Sequence, residues 1–480
     1  MRDLVKNMKG KLHEKLGNEV WLNKLLHNLS KSVKIKMVSL LAGLSLLIAC
    51  NSEEKEVKIT PEEMHGLMQQ ITDVIVHDIF SPPVAARIYS YSTIAAYEVL
   101  AQSDSNYVSL AGQLKELNPL PKPKMPIQSD VAALQSMYLV GKAFIFSEEK
   151  MEEWHQKWEQ QLMEKGIDQQ IYDNSLQYAD TVSKHILKWA SSDNYKETRT
   201  MSRHSLSNQP QHWEPTPPAY MEAIEPHWNL IRTFVLDSSN QFIPNRPTPF
   251  STDTTSQFYK EVMQVYNAVK NADQEVEEIA GFWDCNPYVM NVQGHVMFAT
   301  KKITPGGHWM GITKIACQLD SADLLKSSQA YSLTAISLHD AFISCWDEKF
   351  RSNLIRPETY INRYIDEDWK PLLQTPPFPE YTSGHSVIST AAALALTDVF
   401  GDNFHFVDST ESSYGLPVRT FDSFVNASQE AAISRLYGGI HYMPAIENGV
   451  KEGKAIAGFI QNNLSFKKQN DTKQITQSSY

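Results

Sequence analysis

PPFPEYTSGHSVISTAAALALTDVF, residues 376–400, changes character at Ser383. Pro376, Pro377 and Pro379 keep the lead-in extended, because proline lacks an amide donor and disfavours helix in the residue before it. From Gly384 to Phe400 small and mainly apolar residues run without a breaker. That pattern predicts a buried helix with Ser383 as its N-cap. A helix start offers free amides and the positive end of its dipole, and Gly384 lets a ligand come close to the backbone. His385 falls in the first turn, facing whatever those amides hold. The stretch therefore predicts a helix N-terminus built to hold an anion.

Upstream, WDEKFRSNLIRP (346–357) closes a long apolar-periodic segment expected to be helical over 322–356. Seven residues make about two turns, so Lys349 and Arg356 are expected on one face, with Pro357 ending the helix. Downstream, SRLYGGIH (434–441) carries Arg435 on a helix expected over 427–437. Gly438 and Gly439 permit a tight reversal that presents His441. Taken singly, two cations on a helix face are ordinary solvated charges, and a histidine after a helix is ordinarily structural. Taken together, K-x6-R-P, S-G-H and R-x5-H lie in order within 93 residues. Three positive charges beside a free helix terminus suit a tetrahedral or trigonal-bipyramidal oxyanion of charge about −2 to −3.

The rest of the 480-residue chain bounds this reading. With 42 % hydrophobic and 21 % charged residues it can bury a full core. Helical periodicity recurs at 83–103, 129–146, 147–165, 168–191 and 255–280, and again at 384–400 and 446–464. Strand-like alternation is nearly absent, so the expected class is all-α. Residues 202–254 (HWEPTPPAY, IPNRPTPF) are rich in Pro, Asn and Ser and read as a long ordered connection. The expected organisation is an N-terminal helical bundle over 51–201, that connection, an oxyanion-binding helical bundle over 255–466 and a polar tail over 467–480.

Residues 1–50 are set apart. MVSLLAGLSLLIA (37–49) is an uncharged run preceded by Lys31, Lys34 and Lys36 and followed by Cys50. It is short for a bilayer span and has the layout of a secretory signal. Leu47-Ile48-Ala49-Cys50 resembles a bacterial lipobox, so Cys50 is the expected lipidated first residue of an exported protein held at the periplasmic face or cell surface. Residues 1–36 carry nine Lys or Arg against three acids, and their removal takes the formal charge from −11 to −17. Such a charge repels nucleic acid and anionic lipid, leaving a lipid anchor as the expected membrane contact. Cys285, Cys317 and Cys345 remain, widely spaced and without C-x-x-C, so neither a zinc site nor a disulfide framework is expected.

The order and spacing of the three elements resemble the superfamily that unites vanadium-dependent haloperoxidases with acid and phosphatidic-acid phosphatases. The resemblance implies two helical bundles, with Lys349, Arg356, Ser383, Gly384 and Arg435 binding oxyanion oxygens. It implies His385 as acid/base and His441 in the axial position, as vanadium ligand in a haloperoxidase or as nucleophile in a phosphatase. PPFPEYTSGHS resembles the chloroperoxidases of that family, in which residues placed like Trp346 and Phe378 wall the halide site. Resemblance extends to IAGFWDCNPYV (279–289), TPGGHWMGI (304–312) and, more loosely, 77–100.

The implied cofactor is vanadate, and the implied small molecules are hydrogen peroxide, a halide and an organic acceptor. Two alternatives stay open. One is a phosphatase with no cofactor, taking phosphate esters through a phosphohistidine at His441; the other is a surface lipoprotein that binds oxyanion without turnover. Asp284 is a candidate carboxylate partner for His385, and His308 and Trp309 are candidates for the pocket rim. Ala445 stands where many relatives carry an acid that orients the last histidine, leaving Glu447 or a backbone carbonyl for that task. Thr382 replaces a usual proline and is expected to loosen the lead-in.

Overall fold

Pro82–Leu100 has every residue buried, and Leu324–Ser352 is buried without a break from Ser327 to Trp346. Their sequences explain it: small Ala and Ser positions allow close approach, and the Ser90, Ser92 and Thr93 hydroxyls find acceptors on helix carbonyls. Ser90 Oγ donates to Ala86 O and across the interface to Ala335 O, both at 2.8 Å. In the computed structural model, which describes residues 57–293 and 296–468, the other elements are arranged around this pair.

In chain order the helices are α1 (Pro61–Asp78), α2 (Pro82–Leu100), α3 (Ser129–Lys142), α4 (Glu148–Lys165), α5 (Gln169–Ala190) and α6 (Tyr195–Thr198). Then come α7 (Gln257–Lys270), α8 (Gln274–Phe282), α9 (Pro305–Leu319), α10 (Leu324–Ser352) and α11 (Pro357–Tyr364). The last three are α12 (Gly384–Phe400), α13 (Phe424–Tyr437) and α14 (Met443–Asn463). Helix α2 packs on α3 and α10, and α12 lies against α10, α13 and α14. From Lys58 onward the described residues form one compact unit. The signal segment and Cys50 lie outside the described residues, as does the tail beyond Lys468.

The all-α expectation holds, with two short antiparallel hairpins the sequence pattern did not show. They are β1 (Val289–Gln293) with β2 (Val296–Thr300) and β3 (Phe406–Asp408) with β4 (Arg419–Phe421). The Pro-rich connection is tied to the helices by backbone hydrogen bonds. Trp213 N donates to Asn353 O and Ile355 N to Gln211 O, each at 2.9 Å. Buried Asp340 of α10 accepts from the amides of Phe234, Val235 and Leu236 at 2.7, 2.8 and 2.9 Å. These three bonds fasten the connection to the central helix, although burial still pushes the Asp340 carboxyl up to about 6.

Three helix expectations are corrected. The helix expected over 322–356 stops at Ser352, where Asn353 turns left-handed at φ 47°. Arg356 is extended at φ −76°, ψ 151° and caps α11, so Pro357 opens a helix instead of ending one. Proline excludes helical geometry from the residue before it and is at home at the first helical position. The helix expected over 255–280 is two, because Asp273 caps α8 by accepting from Val276 N at 3.0 Å. TPGGHWMGI opens α9, with Thr304 as N-cap.

Candidate oxyanion site

The Pro-rich lead-in delivers Ser383 to the start of α12 as expected. Ser383 caps the helix, its Oγ accepting from Ser386 N at 3.4 Å and from Ser386 Oγ at 2.8 Å. Helix α14 seats closely against this terminus. A Cβ at Gly449 would lie 3.0 Å from Ser383 O, and one at Gly453 would lie 2.4 Å from Val387 O. Ser383 N donates to Ala445 O at 3.1 Å, so Ala445 works through its backbone.

Lys349, on the last turns of α10, and Arg356, past the Asn353 turn, converge through that turn and not through a helical repeat. Both are fully buried. Lys349 Nζ donates to Pro379 O at 3.1 Å and Glu380 O at 3.2 Å. Arg356 donates from Nε to Phe378 O and from Nη1 to Ile440 O, each at 2.8 Å. Arg435, buried at the end of α13, donates from Nη2 to Trp283 O at 2.7 Å. Burial pushes Lys349 down to about 8 and Arg356 to about 10, and it lowers Arg435 as well. Three buried cations depressed in this way favour an anion beside them.

Gly439 takes φ 79°, and the reversal it allows brings His441 back against Arg356. Arg356 Nη1 lies 3.2 Å from His441 Nε2, and a guanidinium can only donate, so Nε2 presents its lone pair. The proton of the neutral ring is then on Nδ1, which donates to Glu380 Oε1 at 2.9 Å. Tyr442 N donates to the same oxygen at 2.9 Å. Burial, then the charges of Arg356, Lys349 and Arg435, hold His441 well below the usual histidine range. The ring is a neutral, oriented donor.

Glu380 was missed by the sequence reading, which sought the carboxylate after His441. Glu447 is exposed on α14, and Glu380 takes the part from within the Pro-rich lead-in. Its one signal was an acid placed among residues that must lie beside three cations. Thr382 does not loosen the lead-in either. Its hydroxyl donates to the buried carboxylate of Glu452 at 2.8 Å, and its carbonyl accepts from Lys349.

His385 joins His441, Arg435, Gly384, Trp346 and Phe378 in one cavity, with Pro82, Asn286 and Tyr288 on its walls. Its Nε2 is buried with no hydrogen-bond partner among the described residues. Burial, then the charges of Arg435 and His308, hold the ring well below the usual range, opposed by a hydrogen bond to the Trp283 backbone. Asp284 lines the same cavity but is not bonded to His385; its carboxylate pairs with Lys302 at 2.5 Å. The partner is the peptide one residue earlier, because the turn after α8 points the Asp284 side chain at the β-hairpin strand's end.

Trp346 and Phe378 stand together with ring centroids 5.0 Å apart. Lys349 Nζ and the Arg356 guanidinium lie 5.0 and 5.1 Å from the Phe378 centroid, giving an apolar wall with cations at its edge. His308 and Trp309 are not on the rim. Trp309 is buried and donates to Ser389 Oγ at 2.9 Å. His308 lies fully buried behind the cavity, its Nε2 2.7 Å from Asp408. Burial alone would lower His308, but the Asp408 carboxylate carries it well above the usual range.

Fold and site define a helical protein in which three buried cations gather about a neutral histidine near a helix terminus, an arrangement suited to a small oxyanion. The family model for the VCPO second helical-bundle domain matches residues 329–467. The solved structure of a bacterial vanadium-dependent iodoperoxidase is 49 % identical, with TM-score 0.83, over 87 % of this chain and 100 % of that one. Holo and apo structures of a bacterial vanadium-dependent chloroperoxidase share the fold at 15 % identity, with TM-scores 0.61 and 0.60. They cover 80 % of this chain and 94 % and 95 % of theirs. Among curated proteins nothing matches. The chain belongs to the vanadium haloperoxidase family.

Proposed function

We propose that this protein binds vanadate and uses hydrogen peroxide to oxidise iodide, as an exported protein that lipidated Cys50 anchors at the periplasmic face or cell surface. The observation that carries the chemistry is His441, whose Nε2 lone pair faces the site and accepts from Arg356 Nη1 while Glu380 holds its Nδ1–H. Iodide is supported by 49 % identity along the whole of an iodoperoxidase.

The residues fit the group. Lys349, Arg356 and Arg435 would offset an oxyanion of charge about −2 to −3. The Nε2 lone pair of His441, given up by Arg356, would ligate the metal, and the Ser383 hydroxyl and Gly384 amide would bind its oxygens. When bound, vanadate supplies the Lewis-acidic centre on which peroxide is activated. His385, kept neutral, has Nε2 free to take a proton from incoming peroxide and return it to the departing oxygen. Trp346 and Phe378 exclude water where a weakly hydrated halide would stand, and the neighbouring cations hold it there.

The test is full-length protein loaded with vanadate and assayed for peroxide-dependent iodide, bromide and chloride oxidation beside phosphate-ester hydrolysis. Iodide oxidation is expected to require both vanadate and peroxide. Ester hydrolysis without halide oxidation at any pH would assign the cage to phosphoryl transfer. The anchor is checked separately: Cys50→Ala is expected to move the protein from the membrane to the soluble fraction, and unchanged membrane association would exclude lipidation at Cys50.

A further inference from the structure

Cys285, on the wall of the oxyanion cavity, meets His308 and Glu411 in a buried cluster to which the proposed reaction gives no role. Cys285 follows α8, His308 is on the first turn of α9, and Glu411 is on the 3-10 turn Thr410–Tyr414. All three are buried. Cys285 Sγ lies 3.4 Å from His308 Nδ1 and 3.6 Å from Glu411 Oε1, and His308 Nδ1 lies 3.1 Å from that same oxygen.

Those separations match the edges of a zinc tetrahedron. Zinc bonds of about 2.3 Å to sulfur and about 2.0–2.1 Å to nitrogen and oxygen put ligand atoms about 3.3–3.6 Å apart. Each measured edge falls within a few tenths of an ångström of that range. The remaining ring nitrogen, His308 Nε2, is held by Asp408 at 2.7 Å, the carboxylate partner that metal-binding histidines commonly have. Thr410 N donates to the other Asp408 oxygen at 2.9 Å, and Trp283 stacks on the ring at 4.6 Å and 17°, so the imidazole is fixed in plane. Cys285 also lines the oxyanion cavity.

We propose that Cys285, His308 and Glu411 bind a zinc-type divalent cation that displaces the Cys285 thiol proton and the His308 Nδ1 proton to solvent, with His308 ligating through Nδ1 and a water completing the tetrahedron. The mixed S, N and O set and the compact geometry favour zinc over magnesium or calcium. The ion joins the turn after α8 to α9 and to the segment after β3. That turn carries the Trp283 carbonyl that receives Arg435, so the site braces the oxyanion cage from behind. The sequence offered no metal spacing because the three ligands lie 23 and 103 residues apart.

The experiment is elemental analysis of full-length protein, followed by chelator stripping and titration with zinc and cobalt(II). One zinc per chain is expected, and cobalt is expected to give a thiolate-to-metal charge-transfer band. Cys285→Ser should abolish the band and weaken binding at least about tenfold, Asp408→Asn should weaken it about 10–100-fold, and Cys317→Ser should change neither. Folded wild-type protein that neither retains nor rebinds a divalent ion would overturn the proposal, as would a band that survives Cys285→Ser. If Cys285→Ser does not fold, Glu411→Gln decides: its cobalt affinity should fall at least about tenfold, and unchanged affinity would overturn the site.

Discussion

His441→Ala is expected to lose vanadate binding and peroxide-dependent iodide oxidation together, each by more than the roughly 10–100-fold typical of changing a residue one shell out from a metal. The loss is large because nothing nearby replaces the lone pair. Among neighbouring groups, Arg356 and Lys349 are donors, and the Glu380 oxygen facing the ring is occupied by Tyr442 N. The fold should survive, since α13, the Gly439 reversal and α14 are held by packing and backbone bonds that do not pass through the imidazole. Vanadate titration by calorimetry, run beside the iodide assay and a thermal melt, checks this. A variant that binds vanadate within about tenfold of wild type would remove His441 from the ligand position. His385→Ala supplies the contrast, because it should keep vanadate while losing rate.

The contrast between His441 and its orienting group shows what could be read from sequence. Ser383 as a cap, Gly384, and the Gly438-Gly439 reversal were legible because each is a local rule about dihedral angles and free amides. The convergence of Lys349 with Arg356 was legible, but for the wrong reason. A seven-residue spacing looked like two turns of one helix, and Pro357 in fact sets Arg356 outside both flanking helices. Glu380 was hidden because its partner is 61 residues away and its own neighbourhood is a proline-rich segment of no particular pattern. Asp284 was misplaced by a single residue, since a turn decides whether a side chain or its neighbour's carbonyl faces inward. Helix caps are written in sequence; who meets whom across the core is settled by packing.

Glu380→Ala is expected to be the most destabilising single change at the site. Glu380 is fully buried, and its charge lies beside Arg356 and Lys349. Removing one member of a buried charged set leaves the others uncompensated, at about 3–5 kcal/mol. The denaturant midpoint should fall with the slope unchanged. Oxyanion affinity feels two opposed effects. Loss of a negative charge near the cage favours the anion, whereas loss of the acceptor for His441 Nδ1–H frees the ring to turn and swap tautomer. The second effect should win, lowering vanadate affinity about 10–100-fold, because the ligating lone pair depends on where that proton sits. Glu380→Gln separates the two. Its amide oxygen can still accept from Nδ1–H and from Tyr442 N, so vanadate affinity should stay within about tenfold of wild type while part of the stability is lost. Equal affinity losses in the Gln and Ala variants would mean that the charge acts and the orientation does not; no affinity loss in the Ala variant would mean that Glu380 only holds the core together.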